Sequence, residues 1–595
     1  MKKLLFISFV INSLLSQAQL PPYFNWAFSI GGNGNDYPYS ITNDIFGNVI
    51  LTGEFSLTAD LAPGLPVSNN LSNGIDDIFI HKLDPLGNLM WVKTIGGITA
   101  DEGQDITTDN LGNIYVCGRF SGTVDFDPGV GVVNKTTPGN NHTFVLKLNA
   151  NGDFIWVQSF GGTNSTIGNH IKLDDIGNVY ISGYFNGTTD FDPGLSVANK
   201  TAIGGNDAFL VKLNGLGNYL WSEAIGNTNT DSGRETIIDP NGNIYFSGVF
   251  SEVVDFNPGA GIHNLGSAGT THGFIQKLDS FGNFIWARMV GTDVMSIMLD
   301  LSGNLIAAGT YVGVEDFDPG VGVLNSTSFG SADLFISKYD NTGDLVWAKF
   351  MGGVSADYMR KVVIDNNDNI YSTGYFQGTA DYDPSVGVAT ITSQGNLDVF
   401  IHGLDTNGDF LWVKTVGGTG TDVSTTISSF GQALYIAGWF NGTGDYNPEL
   451  GVVNLTSNGG EDGFEMKLTL CQSSFNTINP SVCQSYTVPS GDETYTISGT
   501  YYDTIPNLTG CDSLITINLT VYSQDATTYI QTACDSYTWI DGNTYTSSNN
   551  VATWTLTNAS GCDSVVTLNL TINTSTTGTD FQTACDSYTW IDGNT

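Results

Sequence analysis

A tryptophan recurs along this 595-residue chain at an almost constant spacing. Successive copies lie 65 residues apart, except for one interval of 61 residues. The seven copies are Trp26, Trp91, Trp156, Trp221, Trp286, Trp347 and Trp412. A fixed period of this size is the signature of a repeat architecture, in which each repeat is one supersecondary unit that buries its apolar face against its neighbours. The period therefore limits the fold to an array of similar units.

Each repeat contains four segments that are rich in β-branched and aromatic residues. In the second repeat they are DITTDN (105–110), GNIYVCGRF (112–120), TFVLKL (143–148) and FIWVQSF (154–160). Their period-2 alternation predicts strands, and the D-x-x-G-N sequences between them predict tight hairpin turns. Four antiparallel strands repeated seven times predict an all-β protein with a seven-bladed β-propeller over residues 19–470. An open solenoid is the alternative, but the sequence has no capping repeats.

The two ends of the repeat region predict how such a ring closes. The tryptophan segment FNWAFSI (24–30) precedes any complete repeat, and the last repeat stops after its third strand, GFEMKL (463–468). We therefore expect the N-terminal strand to become the fourth strand of the seventh blade. The tryptophans are interpreted as packing between blades rather than as a ligand stack, because a tryptophan buries about 150–250 Å².

These motifs carry a resemblance to a known repeat. G-N-[IV]-Y-x-x-G-x-F, D-F-D-P-G, F-[IVL]-x-K-L and the repeated tryptophan resemble the SBBP-type seven-bladed β-propeller repeat of secreted bacterial proteins over about residues 19–470. The resemblance implies a propeller in an exported, often multidomain surface protein. It implies no enzymatic activity, because function does not follow from fold alone.

Charge and composition exclude two classes of protein. The formal net charge is −40, so the surface repels phosphate backbones and nucleic-acid binding is not expected. Aromatic residues make up 12% of the chain, which is more than acidic disordered proteins contain. The chain is therefore expected to fold into an acidic globular repeat protein.

The N-terminus predicts export. Lys2 and Lys3 precede an apolar run, and Ser16-Gln17-Ala18 supplies small residues at a cleavage site, so residues 1–18 read as a signal peptide. The apolar run is too short for a bilayer span, which needs about 20 residues, and no later stretch qualifies. We expect a secreted or cell-surface protein with no transmembrane segment in the mature chain; the resemblance implies the bacterial outer surface.

Beyond Leu470 the repeat period changes to 51 residues. This period separates Cys483 from Cys534 and Cys534 from Cys585, and also Cys511 from Cys562. The cysteine-to-cysteine loops of 28 residues predict small immunoglobulin-like sandwiches with disulfides Cys483–Cys511 and Cys534–Cys562. The sequence leaves Cys471 without an assigned partner.

The 51-residue period divides this region into two modules and the start of a third. The modules occupy residues 471–522 and 523–573, and residues 574–595 begin a third, truncated one. They resemble the tandem repeats of bacterial adhesins, and such stalks are common in type IX secretion substrates.

The long connection between the second and third strands carries a D-[FY]-[DN]-P motif. Its aspartate pairs are Asp125 with Asp127, Asp190 with Asp192, Asp316 with Asp318, and Asp381 with Asp383. Carboxylates at positions i and i+2 point the same way and suit a calcium ion, the one cofactor that the sequence suggests. Two carboxylates are few for a calcium shell, so we favour the alternative that they stabilise a turn.

No catalytic or cofactor-binding residue is predicted, because no nucleophile, zinc-protease or phosphate-loop motif is present. The leading hypothesis is a non-enzymatic adhesion protein whose propeller loops recognise an extracellular protein or glycan. Two alternatives remain: a polysaccharide lyase or hydrolase with its site in the propeller channel, and an architectural spacer of a surface filament. A channel site is expected in the fifth repeat (286–346), the most divergent one.

Overall fold

The computed structural model describes residues 20–594, apart from 63, 65–67, 258, 260, 321, 472–473, 507–511, 525 and 560. All regular secondary structure in these residues is β-strand. The predicted signal peptide, residues 1–18, lies outside the described residues. The chain divides into two units, Met1–Gln472 and Ser473–Thr595.

In the described part of the first unit the strands form seven antiparallel sets of four, each called a sheet below. The first and seventh sets are joined through the N-terminal strand into one eight-stranded sheet, and some sets also pair with a hairpin of the next repeat. The first strands are Asp36–Asn43, Glu102–Thr108, Thr166–Leu173, Ser232–Ile238, Asp293–Leu299, Asp357–Ile364 and Asp422–Phe430. The second strands are Val49–Asp60, Ile114–Phe120, Val179–Phe185, Ile244–Ser251, Leu305–Asp316, Ile370–Phe376 and Ala433–Phe440. The third strands are Asn69–Leu83, His142–Leu148, Asp207–Leu213, Thr271–Leu278, Asn325–Tyr339, Asp398–Leu404 and Asp462–Cys471. The fourth strands are Leu89–Ile95, Phe154–Gly162, Tyr219–Ile225, Phe284–Met289, Leu345–Gly353, Phe410–Gly418 and, in the seventh sheet, the N-terminal strand Leu20–Gly32.

The D-x-x-G-N segments form the short turns that the sequence predicts. In the second sheet, Asp109 Oδ1 accepts hydrogen bonds from the backbone N–H groups of Leu111 and Asn113, both at 2.9 Å. Gly112 adopts a φ of 76°, which a residue with a Cβ rarely tolerates. The side chain of the first residue and the glycine together fix the hairpin, so each repeat sets its own strand register.

The long connections fold into small hairpins. They pair Thr123–Asp125 with Asn134–Thr136, Thr188–Asp190 with Asn199–Thr201, Val254–Asp255 with Asn264–Leu265, Thr379–Asp381 with Thr390–Thr392, and Thr443–Asp445 with Asn454–Thr456. In the first and fifth sheets the equivalent residues extend the second and third strands. Hairpins also bind the preceding sheet: Gly161 at the end of one fourth strand pairs with Asp190 of the next repeat.

The N-terminal strand belongs to two sheets. Residues Leu20–Ile30 pair antiparallel with Asp462–Cys471, placing Phe28 opposite Glu465, for example. Its last residues, Gly31 and Gly32, pair with the end of the second strand of the first sheet. The first and last parts of the repeat region are therefore hydrogen-bonded to each other.

The apolar core lies between neighbouring sheets. One buried cluster joins Ile50 and Ile78 of the first sheet to Ile114 and Phe144 of the second, and another joins the first sheet to Tyr435 of the seventh. First strands of neighbouring sheets contact one another in order, and the first strand of the seventh sheet contacts that of the first.

The repeated tryptophans pack across the sheet junctions. Trp156 stands edge-on to Tyr115 of its own sheet, with 6.1 Å between ring centres. Its ring also lies against Gly217, in the turn between the third and fourth strands of the next sheet, where an added Cβ would be 3.4 Å from the indole. This packing matches the interpretation of the tryptophans as contacts between repeats.

The second unit contains two modules of similar construction. The strands of the first module are Ser474–Ile478, Ser481–Cys483, Tyr486–Thr487, Thr494–Tyr495, Gly499–Pro506 and Asp512–Tyr522. Those of the second are Ala526–Cys534, Tyr537–Thr538, Thr544–Tyr545, Thr553–Thr557 and Asp563–Asn573. Each module has one mixed sheet, in which the opening strand runs parallel to the last strand, and one two-stranded hairpin. The immunoglobulin-like sandwich stays a prediction.

The two predicted disulfides are wrong. Cys483 is bonded to Cys562, with 5.7 Å between their Cα atoms. Cys534 cannot reach Cys562 because it lies beside Asn573, at the far end of the strand that follows Cys562. At about 3.3 Å per residue, the ends of this strand are roughly 30 Å apart.

The observed disulfide therefore joins the two modules instead of stapling each one. The predicted partner of Cys483, Cys511, lies outside the described residues. Cys534 and Cys585 are free and exposed, and Cys471 is disulfide-bonded.

We predict that deleting residues 19–32 destabilises the whole repeat region. The deletion removes the strand that pairs with Asp462–Cys471 and takes Ala27 and Ile30 out of the core. Losing several buried side chains, each worth about 2–5 kcal/mol, should lower the melting temperature by about 10 °C or more. Calorimetry of the full and shortened chains measures this. A cooperative transition at an unchanged temperature would contradict the pairing.

Replacing either cysteine of the intermodule bond should destabilise the second unit. The bond closes a loop with a sequence separation of 79 residues, which the chain-entropy model values at about 4 kcal/mol. We expect Cys483→Ser and Cys562→Ser to lower stability equally, and Cys534→Ser, the matched control, to change little. Peptide mapping without reductant should recover a Cys483–Cys562 peptide; a Cys534–Cys562 peptide would overturn the assignment.

Candidate functional site

A β-bulge interrupts every first strand at the same position and places one polar residue there. These seven residues, called here the bulge residues, are Ser40, Asp105, His170, Glu235, Ser296, Lys361 and Thr426. A bulge re-aims a side chain relative to a regular strand. The residues differ from repeat to repeat, whereas the strands around them are near-copies.

Most bulge residues bond the backbone of the next sheet. Asp105 Oδ2 accepts from the N–H of Ile171 at 2.8 Å, and Glu235 Oε2 accepts from that of Ile297 at 2.9 Å. The Ser296 hydroxyl oxygen accepts from the N–H of Val362 at 3.1 Å. That of Thr426 accepts from the N–H of Ile41 at 3.4 Å. The first strands lie at the edges of their sheets, so N–H groups that face away from the second strand have no ladder partner and are satisfied by the neighbouring repeat, as buried donors must be.

His170 is held in one tautomer. Its Nδ1 accepts the N–H of Thr236 at 3.3 Å, so the ring proton of the neutral imidazole lies on Nε2. That Nε2 is 3.3 Å from Glu235 Oε1 and 3.5 Å from Asp105 Oδ2. The imidazole therefore links the two carboxylates, and Ser40 donates to the other oxygen of Asp105 at 2.5 Å.

Lys361 is the one bulge residue whose side chain contains only hydrogen-bond donors, so it cannot accept a backbone N–H. Its ammonium reaches across the first strands to Glu235 Oε1 at 2.5 Å, two sheets away. Burial disfavours the charged form of Glu235, but Lys361 and His170 outweigh it and hold the pKa of Glu235 well below its usual range. The same pairing raises the pKa of Lys361 despite burial.

Five of the bulge residues line a cavity of about 320 Å³ between the first strands: Ser40, Asp105, His170, Glu235 and Lys361. Two residues further along each strand, the side chains face the same way. Thr42, Thr107, Lys172 and Ser428 line one side of the cavity, and Met298 and Val363 line the other. The exposed ring of Phe430 lies at its outer end, near the short turns.

Sequence reasoning missed this site. It placed any channel chemistry in the fifth repeat, whereas the charged bulge residues come from the second, third, fourth and sixth repeats. A usable signal was present: one position varies among Ser, Asp, His, Glu, Lys and Thr within otherwise similar strands. The sequence did not show that these residues form one site, because the residues that bond to one another lie about 65 positions apart in the chain.

The aspartates considered as possible calcium ligands stabilise turns, the alternative that the sequence analysis favours. Asp190 Oδ1 accepts from the N–H groups of Asp192 and Ala198 at 3.1 and 2.8 Å, and Asp192 Oδ1 accepts from Gly194 at 2.7 Å. The same pattern holds the other predicted residues, Asp125, Asp127, Asp316, Asp318, Asp381 and Asp383. No group of three or more acidic, histidine or cysteine side chains in the described part of the chain could hold a metal ion.

The loops that these aspartates fix end in exposed aliphatic side chains. The aromatic residue within each motif, such as Phe191, is fully buried and anchors its loop. Beyond it stand side chains that are at least 70% exposed, called here the loop tips: Val130, Val132, Leu195, Val197, Ile262, Val323, Val386, Val388, Leu450 and Val452. Each described connection of this type thus presents aliphatic surface on a rigid base.

A second set of aspartates, unnoticed in the sequence, lies buried at the Gly-Gly junctions. Each pair joins the start of a third strand to the start of the next sheet's first strand: Asp77 with Asp101, Asp207 with Asp231, Asp333 with Asp357, Asp398 with Asp422, and Asp462 with Asp36. The two remaining junctions have His142 with Thr166 and His272 with Thr292. From one junction to the next, the two residues of a pair are either both aspartate or neither is aspartate. Each pair therefore behaves as a unit.

These aspartate pairs hold acidic protons near neutral pH. Burial and the neighbouring Asp333 raise the pKa of Asp357 to about 7. Burial and Asp462 likewise raise the pKa of Asp36 to about 7, although the N–H of Gly32 opposes the shift. Two buried carboxyl groups this close cannot both ionise without cost, so each pair favours the protonated form of one member.

The lysines of the F-x-x-K-L motif act as structural supports. Lys82 and Lys338 pair with Asp44 and Asp300 at 2.8 and 2.7 Å. Lys82 also donates to the carbonyl of Ala150 in the next sheet at 3.2 Å. A larger cavity of about 680 Å³ lies beside the corresponding Lys212, between the third and fourth sheets. Its lysine is engaged with Ser280 and the Tyr180 ring, so it repeats the supporting arrangement.

Comparison with known proteins agrees with the fold. The family profile SBBP, described as a β-propeller repeat, matches residues 91–119. An uncharacterized WD repeat-containing protein, L264, of Acanthamoeba polyphaga mimivirus is 23% identical over 505 residues, covering 70% of this chain and 36% of that protein. The predicted resemblance is confirmed: the chain is a β-propeller repeat protein.

Two further similarities are weaker. The regulatory protein FlaEY of Caulobacter vibrioides is 24% identical over 234 residues, which is 38% of this chain and 24% of that protein. A Bacteroides caccae protein of unknown function has a TM-score of 0.21 at 10% identity, covering 46% of this chain and 89% of that one. The chain spans about a third or less of the length of both curated relatives.

Substitutions at Asp190 separate the turn from the calcium interpretation. Asp190→Asn keeps the accepting oxygen and should leave stability almost unchanged. Asp190→Ala removes two hydrogen bonds and should cost about 1–3 kcal/mol. Melting temperatures in calcium and in EDTA should agree. A calcium-dependent melting temperature that both substitutions abolish would contradict this interpretation.

The aspartate pairs predict that stability falls as pH rises. Because the pKa of Asp357 is about 7 when folded and 3.8 in an unstructured peptide, its contribution is fully present below pH 3.8 and is lost as pH rises through 7. We expect a higher melting temperature at pH 5.5 than at pH 8.5, and a smaller difference in Asp357→Asn. An opposite slope in the wild-type protein would contradict the raised pKa.

Proposed function

We propose that this chain is a non-enzymatic, secreted or cell-surface adhesion protein that recognises an extracellular protein partner. In this proposal the seven sheets form a closed seven-bladed propeller, and the disulfide-linked β modules form the stalk. The loop tips form the recognition surface.

The contacts between the first and seventh sheets support a closed propeller. Besides the N-terminal strand, Lys467 of the seventh sheet donates to the carbonyl of Pro85 in the first sheet at 2.7 Å. His81 of the first sheet lies 3.0 Å from the Glu465 carboxylate, and both side chains are fully buried. The same lysine contact joins other neighbouring sheets, so this junction resembles the rest.

Export is supported by the cysteine chemistry as well as by the N-terminal sequence. A disulfide between two small modules persists in an oxidising compartment and is rare in a cytosolic protein. Among the described residues we find no helical stretch with the length and apolar character needed to cross a bilayer.

The observation that carries the proposal is the set of exposed loop tips. Soluble proteins seldom repeat exposed aliphatic pairs at one position unless the surface is used for binding. Rigid loops lose little entropy on binding, and their aliphatic character suits a protein surface better than a saccharide. Repetition around the molecule would also allow several weak contacts to act together.

The experiment measures binding of the full chain to a glycan array and to a panel of immobilised extracellular proteins, in calcium and in EDTA. A tip variant carries Leu195→Ser, Val197→Ser, Val386→Ser and Val388→Ser; the control carries Leu216→Ser and Phe281→Ser, which are equally exposed on short turns. We expect protein binding that falls at least about tenfold in the tip variant alone. Binding to saccharides only would contradict the protein partner, and no binding at all would favour an architectural spacer.

A polysaccharide lyase or hydrolase is the second candidate, because Asp105, His170 and Glu235 converge from unlike repeats. Both carboxylates are committed to backbone N–H groups and to Lys361, which favours support over catalysis. Incubation with a polysaccharide panel, followed by measurement of new reducing ends and unsaturated products, tests this candidate. Product formation that Glu235→Gln abolishes, while the variant stays folded, would replace the adhesion proposal.

A further inference from the structure

Lys172 is a cation without a partner. It lies two residues after His170 and lines the cavity between the first strands. Within the described part of the chain its ammonium makes neither an ion pair nor a hydrogen bond. Burial lowers its pKa, and the carboxylates of Glu235 and Asp105 compensate only in part. A desolvated ammonium in this position lacks the close counter-charge that buried cations normally have.

The nearest carboxylates are engaged elsewhere. Both oxygens of Asp105 accept hydrogen bonds, from Ser40 and from the N–H of Ile171. Glu235 accepts from Lys361 and from the N–H of Ile297. Because these groups bond neighbouring sheets, neither can swing to Lys172 without leaving a buried donor unpaired.

The cavity around Lys172 is polar on one side and apolar on the other. Thr42 and Thr107, from the first and second sheets, line the cavity together with Lys172 and supply hydroxyl groups. The hydroxyl of Ser428 donates to Asn43 Oδ1 at 2.5 Å. Met298 and Val363 face them from the fifth and sixth sheets. A volume of about 320 Å³ lies at the lower end of the range for small-molecule sites.

We propose that this cavity binds a small monocarboxylate with an apolar body, whose carboxylate pairs with Lys172. The hydroxyl groups of Thr42 and Thr107 donate to the carboxylate oxygens, and the apolar body packs on Met298 and Val363. Two ammonium groups line the cavity, but Lys361 is paired with Glu235, so Lys172 offers one positive charge to a ligand and dianions such as phosphate are poorly compensated here. The site is independent of the loop tips.

Calorimetric titration of the full chain with benzoate tests the proposal. Benzamide has the same shape without the charge, and acetate has the charge without the ring. We expect benzoate to bind at least about tenfold more tightly than either probe, since each lacks one half of the recognition. Equal affinities for benzoate and benzamide, or no measurable heat with millimolar benzoate, would overturn the proposal without any variant.

Variants then assign the binding to Lys172. Lys172→Met keeps the length of the side chain and removes its charge, so benzoate affinity should fall at least about tenfold while the fold is retained. Lys93→Gln, on a fourth strand away from the cavity, is the matched control and should bind as the wild type does. If Lys172→Met fails to fold, Thr107→Val removes one donor and should weaken benzoate more than benzamide. Unchanged benzoate affinity in a folded Lys172→Met or Thr107→Val variant would contradict the site.

Discussion

The antiparallel pairing of residues 20–30 with Asp462–Cys471 is the interaction on which the rest of the repeat region depends. Without it, the seventh sheet would expose a row of unpaired backbone groups along its third strand, and the first sheet would lose the core beneath Ile30. Every other junction joins repeats that follow one another in sequence. This one must bring together residues more than 400 positions apart, so its loop-closure entropy is the largest in the repeat region.

The junctions share a set of side-chain bonds that tie each sheet to the next. Bulge residues accept backbone N–H groups, lysines donate to turn carbonyls, and at five junctions two buried aspartates lie together, where burial raises their pKa values. Gly31 shows the constraint at these segments: its φ is 147°, and an added Cβ would stand 2.7 Å from the Asp462 carboxyl carbon. Because these bonds recur, one position can vary chemically while the others preserve the sheet geometry.

The sequence predicted those features of the fold that depend on contacts within one repeat. The strands, the short turns with Gly112 and its equivalents, and the turn role of Asp190 follow from local alternation and hydrogen-bonding chemistry. It could not predict bonds whose geometry depends on how separate repeats approach, such as Asp105 with Ile171 or Asp333 with Asp357. The disulfide predictions were wrong for the same reason. Equal cysteine spacing suggested pairing within a module, whereas the parallel opening strand places Cys534 far from Cys562.

The functional proposals use different parts of one scaffold. The loop tips present repeated aliphatic surface, as the proposed multivalent adhesion requires. The cavity beside Lys172 is instead lined by different side chains from all seven repeats. The acidic surface and the near-identical repeats fit recognition better than catalysis, since a catalytic site needs divergent groups that are free to act on a substrate. In the part of the chain that the structure describes, the variable bulge residues are hydrogen-bonded to neighbouring sheets, whereas Lys172 is not.

Hydrogen exchange of the backbone amides in the N-terminal strand tests the central claim most directly. If this strand is the fourth strand of the seventh sheet, those amides of residues 26–30 that are hydrogen-bonded to residues 463–467 should exchange slowly, since opening them requires unfolding the junction. Rapid exchange at those amides, with the other first, second and third strands still protected, would contradict the account.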